Sequence, residues 1–198
     1  MKTLIIVIHP DIKNSKINKR WIQELEKFPE KYRVHQLQEV YPDQQFDVAA
    51  EQKLIEEHDR IIFQFPFYWY HGPALLKKWL DEVLTYGWAY GNSSGYKVSG
   101  KKISLALSLG LKEDEVQKGG PYKYSLEEMT RPFELTFGYV KADYRPLFAY
   151  YGMAYNPSEE WIEKSVPLYM DFLDQGSALN EGSNPALQPE TIMAREGL

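Results

Sequence analysis

The chain has 198 residues, a formal net charge of -5, and 43% hydrophobic and 26% charged residues, the composition of one globular domain with a real core rather than of a disordered segment. No basic block accompanies the acidic balance, which argues against a nucleic-acid surface, and no apolar run approaches the roughly 20 residues that span a bilayer. Cysteine is absent, so disulfides, thiol redox chemistry and cysteine-ligated zinc or iron–sulfur centres are excluded, and any redox chemistry falls to a bound organic cofactor.

In chain order, residues 3–8 (TLIIVI) are a short unbroken apolar run rich in β-branched residues, read as a strand and not as a signal peptide. With no cysteine downstream, the cytoplasm is the expected location. A polar loop, HPDIKNSKIN (9–18), leads into a helix at 17–28 with Ile17, Trp21, Ile22, Leu25 and Phe28 on one face. Residues 32–38 (YRVHQLQ) alternate like an edge strand, and a helix is expected at 47–58. Residues 60–65 (RIIFQF) are again continuously apolar and run into PFYWYHG (66–72). The next helix spans 73–84, with Pro73 at its first position, and residues 102–107 (KISLAL) form a fourth strand. Helices at 125–137 and 158–174 flank a weaker fifth strand at 144–149, weaker because Pro146 cannot donate to a ladder. Residues 177–198 lack periodicity and are read as a tail on a domain of residues 1–176.

Strands alternating with helices predict an α/β three-layer sandwich around a parallel sheet, and five strands match the flavodoxin-like order 2-1-3-4-5. Ligands of such sheets bind beyond the C-terminal strand ends where strand order reverses, here the loops after strands 1, 3 and 4. No glycine precedes Gly72, so the glycine-rich dinucleotide fingerprint and the P-loop are both absent from the first loop. There Ser15 precedes a helix start, whose outward N–H groups favour an anion. Ser15 is either a phosphate donor, with Lys16, Ile17 and Asn18 adding backbone or amide donors, or simply the helix cap. His9 ends the first strand and points toward the same cleft. After Pro66, the run Phe67, Tyr68, Trp69, Tyr70 cannot all enter one core; some of it faces a flat ligand or another chain. Ser108, Leu109, Gly110 and Leu111 form the third loop, where Gly110 lets backbone N–H groups approach a polar ring edge.

Other motifs carry little. GNSSG (91–95) matches the hydrolase nucleophile elbow but follows a helix instead of a strand, and all four histidines lie upstream of it. His35 and His58 are read as surface or edge residues, Glu127 and Glu128 as a solvated helix face, and no metal-ligand spacing is present.

Three blocks, IIVIHPDIKNSKINKR (5–20), YPDQQFDVAAEQKLIEEHDRIIFQFPFYWYHGPALLKKWLDEVLTYGWAYG (41–91) and YSLEEMTRPFELTFGYV with PLFAYYG (124–152), resemble the flavodoxin-fold NAD(P)H:quinone oxidoreductases. The closest branch is the short bacterial one, which includes modulator-of-drug-activity-like reductases and the ancillary reductase of potassium-efflux systems. The resemblance implies an enzyme that binds FMN, with FAD as second choice. Electrons would pass as hydride from NAD(P)H through the flavin to a quinone-like acceptor in ping-pong fashion. Its phosphate and ribityl loop falls on His9, Ser15, Lys16, Ile17 and Asn18, its ring-lining segment on Pro66 to Tyr70, and its third loop on Ser108 to Leu111. It also implies a homodimer, with Trp88 and Tyr90 of one chain over the site of the other and Tyr122 near the acceptor. An alternative is a flavin-binding subunit that docks on a membrane ion-efflux system. Two positions depart from the family. Leu111 replaces a glycine of the third loop, which would lower flavin affinity. Val116 and Lys123 stand roughly where longer members have a proton-relaying Tyr and His.

Overall fold

Period-two alternation assigns each strand residue to one face of the sheet, and the sequence buries both faces. In a computed structural model describing residues 2–155 and 157–178, Leu4, Ile6, Ile61, Phe63, Phe65, Ile103, Leu105 and Leu107 face one apolar cluster, whereas Ile5, Val7, Ile62 and Ala106 face the other. These residues lie on β1 (Thr3–Val7), β3 (Arg60–Pro66) and β4 (Lys102–Ser108). The order is β2-β1-β3-β4-β5, with every strand pairing parallel. β2 (Tyr32–Gln36) pairs with β1 alone among the described residues and is the expected edge, though two residues shorter, because Leu37 turns inward and starts the one-turn α2 (Leu37–Val40).

The fifth strand exists in two pieces. β5 (Asp143–Tyr144) and β6 (Phe148–Tyr150) both run alongside β4, and Pro146, with no N–H to donate, falls in the gap between them. Proline also divides the helix expected at 125–137. Ser125 caps α5 (Leu126–Met129) through Glu128 N–H, and α6 (Arg131–Tyr139) restarts with Pro132 in its first turn, where no N–H is needed.

α1 (Ile17–Leu25) and α7 (Glu159–Ala178) cover the Ile5 face, and α3 (Val48–Glu56), α4 (Ala74–Val83), α5 and α6 cover the other. Pro73 stands just before α4 as its cap position, not within it. Under α1 the fully buried Trp21 stacks on Tyr169 of α7, centroids 4.6 Å apart, and donates its Nε1–H to Ser165 Oγ at 2.8 Å. The tail expected from residue 177 lies outside the described residues from 179 on. No helix among the described residues is long and apolar enough to cross a membrane.

On the outer side, Glu51 of α3 is 1% exposed and collects three donors: His35 Nε2 at 2.7 Å, Trp79 Nε1 at 2.7 Å and Tyr41 OH at 2.9 Å. His35 is therefore tied to a buried carboxylate. His58, also expected at the surface, is buried with Nδ1 at 2.8 Å from Leu54 O. Burial pushes the Glu51 carboxyl up, but the donors, His35 first, outweigh it and hold it below the usual carboxylate range. A depressed folded-state value means that this stability is present above the unfolded value of about 4.3 and is lost as pH falls through the folded one. Glu51→Gln faces donors with one oxygen in place of two and should lose on the order of 2 kcal/mol of unfolding free energy at pH 7. In urea titrations its stability should also fall less steeply than wild type below pH about 4.5.

Candidate ligand site

The carboxyl ends of β1, β3 and β4 open into a cleft of about 920 Å³, within the usual range for a cofactor site. Its lining includes His9, Ser15, Lys16, Asn18, Pro66, Phe67, Tyr68, Trp69, Tyr70, Ser108, Leu109, Gly110 and Leu111. Of the flavin-site residues expected from the sequence, only Ile17 is missing. Its side chain is fully buried in the core, which leaves its backbone alone to serve the site.

The first loop is organised by short-range bonds. Asp11 accepts from the Asn14 side chain at 2.7 Å, which shapes the turn at Ile12–Asn14. Ser15 Oγ accepts from Asn18 N–H at 3.2 Å, so it does cap α1. The cap does not preclude the other reading, because the hydroxyl proton remains available after the oxygen has accepted. The N–H groups of Lys16 and Ile17 have no partner among the described residues and stand at the positive end of the helix. Asn18 departs from expectation. It is 1% exposed, and its amide is bonded beneath the cleft, donating to Ser108 Oγ at 2.9 Å. It supports the floor and does not reach for an anion.

His9 accepts from Asp11 N–H through Nδ1 at 3.1 Å, which places the proton of the neutral ring on Nε2. Burial lowers its pKa, and nearby Asp11 only partly offsets this.

The second loop divides the aromatic run. Phe67 packs into the core, whereas Tyr68 and Tyr70 are about half exposed and Trp69 is 91% exposed. His71 N–H donates to Tyr68 O at 2.9 Å, closing a turn whose central residues, Trp69 and Tyr70, have φ of 50° and 61°. Positive φ at both centres is the type I′ pattern, which costs bulky residues roughly 1–2 kcal/mol each. The turn therefore holds two large rings outward at an energetic cost. Tyr122 stands behind Tyr70, ring centroids 5.9 Å apart.

The third loop has its carbonyls engaged and its N–H groups open. Leu109 O, Gly110 O and Leu111 O accept from Met153, Ala154 and Gly152 N–H at 2.9, 3.3 and 2.7 Å. Leu109 N–H bonds Tyr150 O, while those of Gly110 and Leu111 have no partner among the described residues. Leu111 is partly buried, with its side chain packed against the core cluster.

Three expected substrate residues, Trp88, Tyr90 and Tyr122, are not among those lining the cleft of their own chain. Trp88 donates Nε1–H to Glu56 at 2.7 Å, and Tyr90 packs between Tyr86 and Tyr139. Asp11 and Asn14, within the expected first loop, also line the cleft, and sequence reasoning missed Met153, Ala154 and Pro157, which do so too. The turn-forming Gly152 and Pro157 were the available signal for the last three.

The donor set is one-sided. The Ser15 and Ser108 hydroxyls, His9 Nε2 and four backbone N–H groups remain available to donate, and the one acid in the lining, Asp11, is held by Asn14. Such a set fits an anionic tail at the start of α1 and a flat ring with acceptor edges against the aromatic turn.

Comparison with known proteins agrees. A flavodoxin-like fold family model matches residues 1–169. An uncharacterized NAD(P)H oxidoreductase, YrkL, of Bacillus subtilis is 45% identical over 87% of this chain and 98% of its own. A potassium-efflux system ancillary protein, KefG, of Pectobacterium atrosepticum is 34% identical over 84% of this chain and 95% of its own. A crystal structure of general stress protein 14 from Treponema denticola in complex with FMN is 46% identical, with a TM-score of 0.83 over 88% of this chain and 99% of that one. The chain belongs to the flavodoxin-like fold family.

Proposed function

We propose that the chain is an FMN-dependent NAD(P)H oxidoreductase that delivers two electrons to a flat acceptor of the quinone class. The observation that carries this reading is the cleft itself, where outward aromatic rings at Tyr68–Tyr70 face a wall of hydrogen-bond donors. The Treponema relative that binds FMN and the Bacillus relative named as an NAD(P)H oxidoreductase support it.

Bound FMN would supply the hydride chemistry. The residues' part is to seat and orient it. Ser15 and the N–H groups of Lys16 and Ile17 would hold the phosphate, those of Gly110 and Leu111 would serve the polar part of the ring, and the turn at Trp69 would supply an apolar wall. Donors fixed by backbone pairing need no rearrangement when charge grows on the ring edge. The open side would be closed by a second copy bringing Trp88 and Tyr90, so a homodimer belongs to this reading. The KefG relative favours a second one, a flavin-binding subunit docked on an efflux system.

The purified, FMN-loaded protein should catalyse steady NAD(P)H-dependent reduction of menadione. Flavin bound without turnover would favour the docked subunit, and a fully active monomer would remove Trp88 and Tyr90 from the site. Ser15→Ala should raise the Kd for FMN about tenfold, the effect of losing one hydrogen bond to a charged group. Trp69→Gly relieves the strained backbone, so the FMN-free variant should melt no lower than wild type while binding FMN at least about tenfold more weakly. Wild-type FMN affinity in both variants would place the ligand elsewhere.

A further inference from the structure

Gln64 sits in β3 between Phe63 and Phe65 with no exposed surface. A buried amide is costly unless bonded, so its partners disclose its purpose. Gln64 Nε2 is 3.2 Å from the backbone oxygen of Asn18 and 3.3 Å from Asn18 Oδ1. Gln64 Oε1 accepts from the hydroxyl of Tyr169, which is also fully buried, at 2.9 Å. Asn18 Nδ2 in turn lies 2.9 Å from Ser108 Oγ at the cleft floor.

The direction of this chain is determined. A backbone carbonyl only accepts, so Asn18 O turns the NH₂ of Gln64 toward α1. Gln64 Oε1 then faces Tyr169, whose hydroxyl donates. With Gln64 also donating to Asn18 Oδ1, the NH₂ of Asn18 must face Ser108. Ser108 Oγ therefore accepts, and its own proton has no acceptor among the described residues. Ser108 is 6% exposed and lines the cleft, so the proton is directed there.

We propose that Gln64 is a positioning residue that, acting through Asn18, holds the Ser108 hydroxyl as a committed hydrogen-bond donor to the ring bound in the cleft. This rests on the FMN reading above. A donor kept in place from beneath stabilises negative charge gained by the ring on reduction. If the Asn18 amide were free to reverse, Ser108 would donate back to it and turn a lone pair to the ring.

The test uses the full chain loaded with FMN. The midpoint potential of the bound flavin is measured in wild type, Gln64→Met, Ser108→Ala and the double variant. Both single variants should shift it in the same, more negative direction, and the double variant should go no further than Ser108→Ala alone, because the two residues act in series. Tyr169→Phe leaves the Gln64–Asn18 bonds in place and should shift it less. If Gln64→Met does not fold, Asn18→Asp replaces it, since losing the amide donor turns the Ser108 proton back on the carboxylate. An unchanged potential in Gln64→Met or Asn18→Asp, or additive shifts in the double variant, would overturn the relay while leaving the FMN reading intact. A wild-type chain that takes up no FMN would instead remove the FMN reading, and this inference with it.

Discussion

Parallel pairing of β1, β3 and β4 is the constraint from which the site follows. In a parallel sheet every strand ends at the same edge, so the loops after Val7, Pro66 and Ser108 must come out side by side. Order reverses between β1 and β3, where a crevice is left open. At its edges the N–H groups at the start of α1 and those of Gly110 and Leu111 have no partner among the described residues, while the carbonyls of Leu109, Gly110 and Leu111 are paired. Donors in excess of acceptors are a consequence of the fold before any ligand arrives.

Two faces of the same sheet are used differently. On the Phe63–Phe65 face β1, β3 and β4 present only apolar side chains to α3 through α6, and the buried polar cluster around Glu51 sits beside His35 of the edge strand β2. The opposite face carries Gln64 and Ser108 among its aliphatic residues and meets α1 and α7, and here a polar thread runs from Tyr169 to the cleft floor. Buried polar groups of this kind specify one arrangement only when all are satisfied. The thread therefore joins the helix that closes the core to the loop that receives the ligand.

Much of this was legible in the sequence, for physical reasons that also mark where legibility stopped. β1, β3 and β4 are buried on both faces and read as mostly apolar runs without alternation, so their positions and order followed. Pro146 showed that the fifth strand was weakened, but the helix expected at 125–137 was read as continuous, and where each element breaks depends on tertiary packing. Ser15, the aromatic run and the third loop were found because topology tells where to look. Asn18 lines the cleft as expected, but its bond to Ser108 was not legible, because that partner lies 90 positions away and no local pattern announces it. Met153 and Ala154 were missed because they serve through backbone bonds, and the only local signal was the turn residue Gly152 before them. The positive φ of Trp69 and Tyr70 runs against the preference of bulky residues and was not visible in composition.

That conflict between local preference and observed backbone is where functional pressure is expected to appear. A Trp held 91% exposed on a strained turn gives the isolated chain little packing energy in return. It makes sense as a surface prepared for a flat partner. The central claim is that this partner is a flavin, and the most direct measurement is the absorption spectrum of the purified protein, followed by release and mass determination of its chromophore. The expected result is a yellow protein that yields FMN. A colourless protein that takes up neither FMN nor FAD when incubated with them would contradict it.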